Sequence, residues 1–108
     1  MIKLTKRNFE QVVENSQKPV VVIFAGEWCP DCNAIYPYFQ HLEETYGEEI
    51  TFARAHVTKE KEFWPRKFDF QYIPTFIFFK DGTIWKKFRD EGDIERIEEV
   101  IKQVIDRE

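Results

Sequence analysis

The sequence predicts an α/β fold in which helices flank a central mixed sheet. The continuous β-branched run Val20–Phe24 is typical of a strand buried on both faces, as found inside a parallel or mixed sheet. Helix-like and strand-like segments alternate along the chain, and Asp81-Gly82 joins two apolar runs as an antiparallel hairpin. At 108 residues the chain has the length of one ordinary domain, so we expect a single domain over residues 1–108.

Two helices are predicted in the first half of the chain. Thr5 can cap the first helix, and Pro19 closes it. The second is expected from about Pro30 to Tyr46 with Gly47 at its end, and Pro37 should kink it because proline deletes a backbone hydrogen bond. The apolar residues at helical spacing are Phe9, Val12 and Val13 in the first helix and Ile35, Phe39, Leu42 and Tyr46 in the second.

The second half combines strands and helices. A strand is predicted from Ile50 to Val57, after which Thr58 can cap a third, charged helix. An Asp-Gly pair follows Phe76–Phe79 and precedes Ile84–Phe88, and it predicts a type I′ turn because both central positions of that turn need positive φ. A last helix should begin near Asp93. The predicted inward-facing residues are Phe63, Trp64 and Phe68 in the third helix and Ile94, Ile97, Ile101, Val104 and Ile105 in the last.

Charge and hydropathy exclude several kinds of partner. The formal net charge is −4, and Lys and Arg are interspersed with Asp and Glu, which leaves no basic stripe for a nucleic-acid backbone. The longest apolar run, Val20–Ala25, is too short to cross a bilayer, and the N-terminus contains no apolar leader segment. We therefore expect a cytosolic protein that binds neither nucleic acid nor membrane and acts on proteins or small molecules.

The two cysteines directly follow the buried strand and have a direct chemical use. With Pro30 at the first helical position, Cys29 falls at the N-cap, where backbone N–H groups and the helix dipole stabilise a thiolate and lower its pKa. Cys32 lies one turn further on, within reach of the same sulfur. Cys29 can therefore attack a disulfide and Cys32 can resolve the mixed disulfide.

A zinc half-site is the alternative interpretation of this cysteine spacing. The chain contains two Cys, and His41 and His56 lie fifteen positions apart, so the second half of a zinc site is missing and we favour redox chemistry. Each His is expected to be solvated or hydrogen-bonded, with His56 as a lesser candidate for a neighbour of the site. Asp31 is explained as a residue that complements the helix dipole.

The chain resembles the thioredoxin family over essentially its whole length. The matching residues are Trp28 before the first Cys, Pro37 five positions after the second, Ile73-Pro74-Thr75 and the Phe79–Gly82 hairpin. The resemblance implies the thioredoxin fold, a mixed five-stranded sheet flanked by four helices. It also implies a cis Pro74, with the backbone of Ile73 offered to a substrate strand.

The resemblance further implies a protein-disulfide reductase. Such a dithiol reductant opens disulfides in proteins or small thiols through Cys29 and Cys32 and needs no cofactor beyond its own redox-active disulfide. A thioredoxin-reductase-like enzyme is the implied electron donor, and we expect a monomer. The competing hypothesis is an interaction module in which the two cysteines act as a redox switch for one dedicated partner.

Several positions depart from the family pattern. Pro30-Asp31 replaces the usual Gly-Pro, and Tyr72 stands where a small Gly is common, which is expected to narrow the substrate groove. The candidate substrate-binding residues are Trp28, Pro30, Tyr72, Ile73 and Pro74.

The departures also affect proton transfer at the site. Ile23 replaces the buried family Asp that accepts the proton of the resolving cysteine, and Arg54 matches the Lys usually near it. An apolar residue at this position offers no acceptor to Cys32, so resolution should be slow at neutral pH unless Asp31 takes the proton. Ile23, Asp31 and Arg54 are therefore the residues expected to modulate the active site.

Overall fold

The computed structural model describes residues 1–58, 63–89 and 94–106, within which five strands and four helices are found. The strands are β1 (Ile2–Lys3), β2 (Val20–Ala25), β3 (Thr51–His56), β4 (Thr75–Lys80) and β5 (Thr83–Arg89). The helices are α1 (Glu10–Glu14), α2 (Pro30–Tyr46), α3 (Phe63–Phe68) and α4 (Ile94–Asp106). The predicted mixed five-stranded sheet with four helices is therefore confirmed.

The strands form one sheet in the order β1-β3-β2-β4-β5. The central strand β2 pairs with β3 in parallel and with β4 in antiparallel orientation, so that Ile23 lies opposite Arg54 on one side and Phe76 on the other. All six residues of β2 are buried. This confirms the prediction that Val20–Phe24 is a strand covered on both faces.

The two faces of the sheet carry separate apolar clusters, because alternate residues of a strand point to opposite sides. Ile23 and Ala25 face the cluster formed with α2 and α4, whereas Val22 and Phe24 face the cluster formed with α1 and α3. The helix residues buried in the first cluster are Cys32, Ile35, Phe39, Leu42, Ile97, Val100, Ile101 and Val104, and those in the second are Val13, Trp64 and Phe68.

The predicted hairpin between β4 and β5 is confirmed. Asp81 and Gly82 have φ values of 55° and 80°, which are the positive values that a type I′ turn requires at both central positions. A Cβ on Gly82 would also lie 3.0 Å from the carbonyl oxygen of Glu14, so the turn packs closely on the end of α1. Glycine at position 82 therefore serves both the turn and its packing.

The predicted start of the first helix is wrong. The helix begins at Glu10 with Phe9 at the N-cap and no side-chain cap, and Asn15 N–H bonds to Glu10 C=O five residues back, which is π-helical. Asn8 rather than Thr5 organises the approach, because its Oδ1 accepts from the backbone N–H of Thr5 at 2.8 Å. A turn in which the Asn8 side chain accepts from Thr5 thus precedes the helix in place of the predicted cap.

The bounds of α2 agree with the prediction, and the helix continues through Pro37. Gly47 follows its last residue with a φ of −62°, so the helix ends without the left-handed conformation that glycine often supplies. The cap predicted at Thr58 would act on residues 59–62, and the one predicted near Asp93 falls within 90–93. Both segments lie outside the described residues.

Candidate active site

The cysteine pair lies at the turn from β2 into α2. Cys29 is the N-cap of α2 in extended conformation, and its Sγ accepts a hydrogen bond from the backbone N–H of Cys32 at 3.1 Å. Pro30 occupies the first helical position, where a backbone N–H would have no partner within the helix, so the N–H that proline lacks is not missed. The sequence-based placement of both cysteines is confirmed, and a backbone donor is already directed at the Cys29 sulfur.

Cys29 and Cys32 form a disulfide, with their Cα atoms 5.2 Å apart. The two sulfurs differ in access, because Cys29 is partly exposed whereas Cys32 is 3% exposed and belongs to the cluster under α2. An incoming disulfide can therefore reach Cys29 more readily than Cys32.

The loop before β4 approaches the cysteines from the opposite side. The Ile73–Pro74 peptide bond is cis, as the family resemblance implied, and the carbonyl oxygen of Ile73 lies 3.8 Å from Cys29 Sγ. Thr75 holds the loop, because its hydroxyl donates to the carbonyl oxygen of Tyr72. A Cβ on Gly26 would lie 3.0 Å from Ile73 Cδ1, so glycine there permits the close approach of the two loops.

Two aromatic side chains stand exposed around the sulfur pair. Trp28 is 91% exposed and Tyr72 is 56% exposed. The guanidinium carbon of Arg89, on β5, lies 4.2 Å from the centre of the Tyr72 ring, a cation–π distance. Tyr72 and Arg89 both line a groove of about 270 Å³ that also contacts Thr75. Exposure suits Trp28 and Tyr72 to substrate contact, and that role remains a prediction.

A cavity of about 330 Å³ lies behind the buried cysteine. Ile23, fully buried in the cluster that holds Cys32, pairs in the sheet with Arg54, whose guanidinium carbon lies 4.9 Å from the Tyr36 ring centre. Asp31 is exposed in the first turn of α2. The residues lining the cavity include Glu27, Cys32, Asn33, Tyr36, Arg54 and His56.

Sequence reasoning identified only part of this cavity. Arg54 and His56 are candidates from the sequence, whereas Glu27 and Tyr36 are found only in the structure. The signal for Tyr36 is its position one helical turn after Cys32, on the same face of α2. Within the described ranges, no group of three or more His, Cys, Asp or Glu side chains could hold a metal ion.

Fold and site together define a class of protein: one with a redox-active dithiol at a helix N-terminus, facing a cis-proline loop. The family model described as Thioredoxin matches residues 1–103. The chain belongs to the thioredoxin family.

Individual relatives support this assignment. Thioredoxin Y2, chloroplastic, of Arabidopsis thaliana is 34% identical over 86 residues, which cover 80% of this chain and 51% of that protein. A thioredoxin of Acetoanaerobium sticklandii is 31% identical over 106 residues, covering 97% of this chain and 100% of that protein. The chain thus spans about half the length of the chloroplast relative.

The fold is shared with a solved structure. The crystal structure of a thioredoxin from Malassezia sympodialis matches with a TM-score of 0.85 and 26% sequence identity, covering 97% of this chain and 91% of that chain. The thioredoxin fold predicted from the sequence is thereby confirmed.

Proposed function

We propose that this chain is a thiol–disulfide oxidoreductase that works as a dithiol reductant of protein or small-molecule disulfides. The observation that carries the proposal is the Cys29–Cys32 disulfide at the N-terminus of α2, with its exposed sulfur beside the loop of Pro74. Membership of the thioredoxin family supports the same activity. Residues 1–108 would act as one domain.

The proposed reaction moves two electrons from the dithiol to the substrate. The Cys29 thiolate attacks one substrate sulfur, the substrate S–S bond breaks, and the first product thiolate leaves and takes a proton from water. Cys32 then loses its proton and attacks Cys29 Sγ. The Cys29–Cys32 bond forms, and the second product thiolate departs.

Local geometry supports Cys29 as the nucleophile. The N–H of Cys32 points at its sulfur from 3.1 Å, and the positive end of α2 lies directly behind it. Both features stabilise a thiolate. The partial exposure of Cys29 leaves its sulfur within reach of a substrate.

Substrate recognition is proposed to use the loop of Ile73 and the exposed ring of Trp28. A substrate segment paired with the Ile73 backbone would lie alongside Cys29, because the carbonyl oxygen of Ile73 is 3.8 Å from that sulfur. Pro30 is exposed next to Cys29 and Pro74 is buried beneath the loop, so they would respectively contact the substrate and support the loop.

The family suggests the electron donor, and both the donor and the location are proposals. A thioredoxin-reductase-like enzyme would reduce the Cys29–Cys32 disulfide, and no further cofactor is required for the exchange itself. Among the described residues, no helix combines the length and the apolar character needed to cross a membrane. We propose a monomer acting in the cytosol, although the curated relatives include chloroplastic proteins.

A coupled assay tests the activity. The chain is mixed with NADPH, a thioredoxin reductase and insulin as the protein disulfide, and NADPH oxidation is followed together with insulin reduction. We expect many turnovers per chain and none with Cys29→Ser. A parallel reaction with dithiothreitol in place of NADPH and reductase tests the chain without an enzyme donor. Oxidation of a single equivalent of reductant without turnover in both reactions would favour the redox-switch hypothesis instead.

A further inference from the structure

The cavity behind Cys32 contains titratable groups that the proposed reaction has not yet used. Besides Cys32 it is lined by Glu27, Tyr36, Arg54 and His56, which come from α2, from the turn before it and from β3. Its volume is about 330 Å³. Since a water molecule occupies roughly 30 Å³ in the liquid, this space is large enough for a water-bridged proton transfer.

The register of the sheet directs His56 toward this cavity. Residues paired in register on parallel strands point to the same side of the sheet. Ala25 pairs with His56 and Ile23 pairs with Arg54, and both apolar residues belong to the cluster beneath α2. The side chains of Arg54 and His56 therefore project toward α2, where Cys32 lies. His56 is partly buried, and its Nδ1 atom is fully buried.

Resolution of the mixed disulfide requires a proton acceptor near Cys32. The thiol of Cys32 is 3% exposed, and burial disfavours the thiolate because it desolvates the charge. Ile23, which is fully buried in the same cluster, offers no lone pair to the thiol. The imidazole of His56 lines the same cavity, and an imidazole that carries no extra proton has a nitrogen acceptor to offer the thiol.

We propose that His56 is the general base that takes the proton of Cys32 when the mixed disulfide is resolved. This inference rests on the proposed function. The S–H proton of Cys32 passes to the imidazole, directly or through one water, and the resulting thiolate attacks Cys29 Sγ. The Cys29–Cys32 bond forms, the bond from Cys29 to the substrate sulfur breaks, and the imidazolium returns its proton to solvent.

The charges around the cavity favour both products of this transfer. Arg54 on β3 places its guanidinium over the ring of Tyr36 and lines the same cavity as Cys32, where a positive charge favours the thiolate over the thiol. Glu27 lies in the exposed turn before α2 and lines the same cavity as His56, where a negative charge favours the imidazolium over the imidazole. Tyr36 adds a hydroxyl to the same wall.

Stopped-flow reaction with 5,5′-dithiobis(2-nitrobenzoate) separates attack from resolution. Attack by Cys29 releases one nitrothiobenzoate in a phase whose rate depends on reagent concentration, and resolution by Cys32 releases a second in a phase that does not. In the wild type we expect the second rate to rise with pH as the imidazole loses its proton and then to level off. His56→Gln should slow this phase about 100-fold at pH 7 and move its rise to higher pH, where the buried thiol must ionise without a base.

Three further variants distinguish a general base from a residue with a purely structural role. His41→Gln, at a His exposed on α2 and 3.8 Å from Glu44, should leave both phases unchanged. His56→Ala should be slow but accelerated by added imidazole, which a purely structural role would not produce. A second phase in His56→Gln with the wild-type rate and pH profile would overturn the inference. Slowing of the second phase in Glu27→Gln but not in His56→Gln would overturn it as well. Loss of the first phase in the wild type would instead overturn the proposed function, and this inference with it.

Discussion

The carbonyl oxygen of Ile73 lies 3.8 Å from Sγ of Cys29, although the two residues are 44 positions apart in the chain. The contact joins the end of β2 to the start of β4, two strands that are direct neighbours in the sheet. A substrate that pairs with the backbone of Ile73 is therefore already aligned with the attacking sulfur.

Cys32→Ser should convert transient mixed disulfides into stable ones. Attack by Cys29 survives in this variant, whereas the serine hydroxyl cannot replace the resolving thiolate, so the lifetime of the adduct should rise at least about 100-fold. Non-reducing gel electrophoresis after reaction with insulin measures the adduct, and dithiothreitol should release it. Cys29→Ser is the matched control and should form none. Adduct in Cys29→Ser and none in Cys32→Ser would reverse the roles of the cysteines, and equal yields would contradict a division of roles.

Tyr72→Gly should broaden substrate range. The ring is 56% exposed at the groove and is held by the guanidinium of Arg89, so its removal opens space next to Ile73. We expect the rate for insulin relative to that for cystine to rise roughly 10-fold. Tyr72→Phe retains the ring and should keep the wild-type ratio. An unchanged ratio in the glycine variant would show that Tyr72 does not limit access.

Ile23→Asp should lower stability and supply a new base. Desolvating a carboxylate at this fully buried position costs on the order of 3 kcal/mol, which a urea unfolding curve measures. Added to His56→Gln, the same change should restore much of the lost resolution rate, because the new carboxylate lies in the cluster that holds Cys32.

Val22→Asp is the matched control for this variant. Val22 is equally buried in β2 but faces the opposite cluster, so it should destabilise the fold without restoring resolution. Asp31→Asn tests the remaining carboxylate next to the cysteines. If it slowed resolution more than His56→Gln does, Asp31 would be the base.

Tyr46→Phe should remove a stabilising contact whose strength depends on pH. The Tyr46 hydroxyl donates to Glu98 Oε2 at 2.7 Å, and this hydrogen bond joins α2 to α4. The hydrogen bond is the main cause, and burial the second cause, of a rise in the pKa of Tyr46 from 10.0 to about 12. The folded state thus holds this proton more tightly than the unfolded chain. The contribution is full below pH 10 and is lost as the pH rises from 10 to about 12.

Denaturant unfolding at several pH values measures this effect. At pH 7 we expect Tyr46→Phe to cost about 1 kcal/mol, since the bond is made to a charged acceptor in a partly exposed site. The difference from the wild type should shrink above pH 10. Tyr38→Phe, at a tyrosine that is 58% exposed on the same helix, should change nothing. A constant difference across this pH range would contradict the assignment.

The features predicted best are those that local chemistry determines. Pro30 at the first turn determined the start of α2, and Asp-Gly determined the hairpin, because each requires particular backbone geometry at one or two residues. The strand Ile2–Lys3 has no periodicity to detect in two residues and exists because β3 offers it an edge. Thr5 is not the cap because the helix begins only at Glu10, after a turn in which the Asn8 side chain accepts from the backbone N–H of Thr5.

The cavity behind Cys32 could not be predicted in the same way. It depends on the pairing of Ala25 with His56 and on how α2 crosses the ends of β2 and β3. No local sequence pattern predicts the strand pairing or the position of α2, since both result from packing between segments distant in sequence. The family resemblance indicates that position 23 matters for proton transfer, but only the fold shows which side chains line the cavity near it.

The complete burial of β2 has a consequence for how the site moves. This strand is bonded on both edges and covered on both faces, so its amide protons can exchange with solvent only when most of the domain opens. The cysteine turn is attached to the end of that strand. The buried sulfur of Cys32 and the partly exposed sulfur of Cys29 are therefore both held by a segment anchored to a strand that opens only with the rest of the domain.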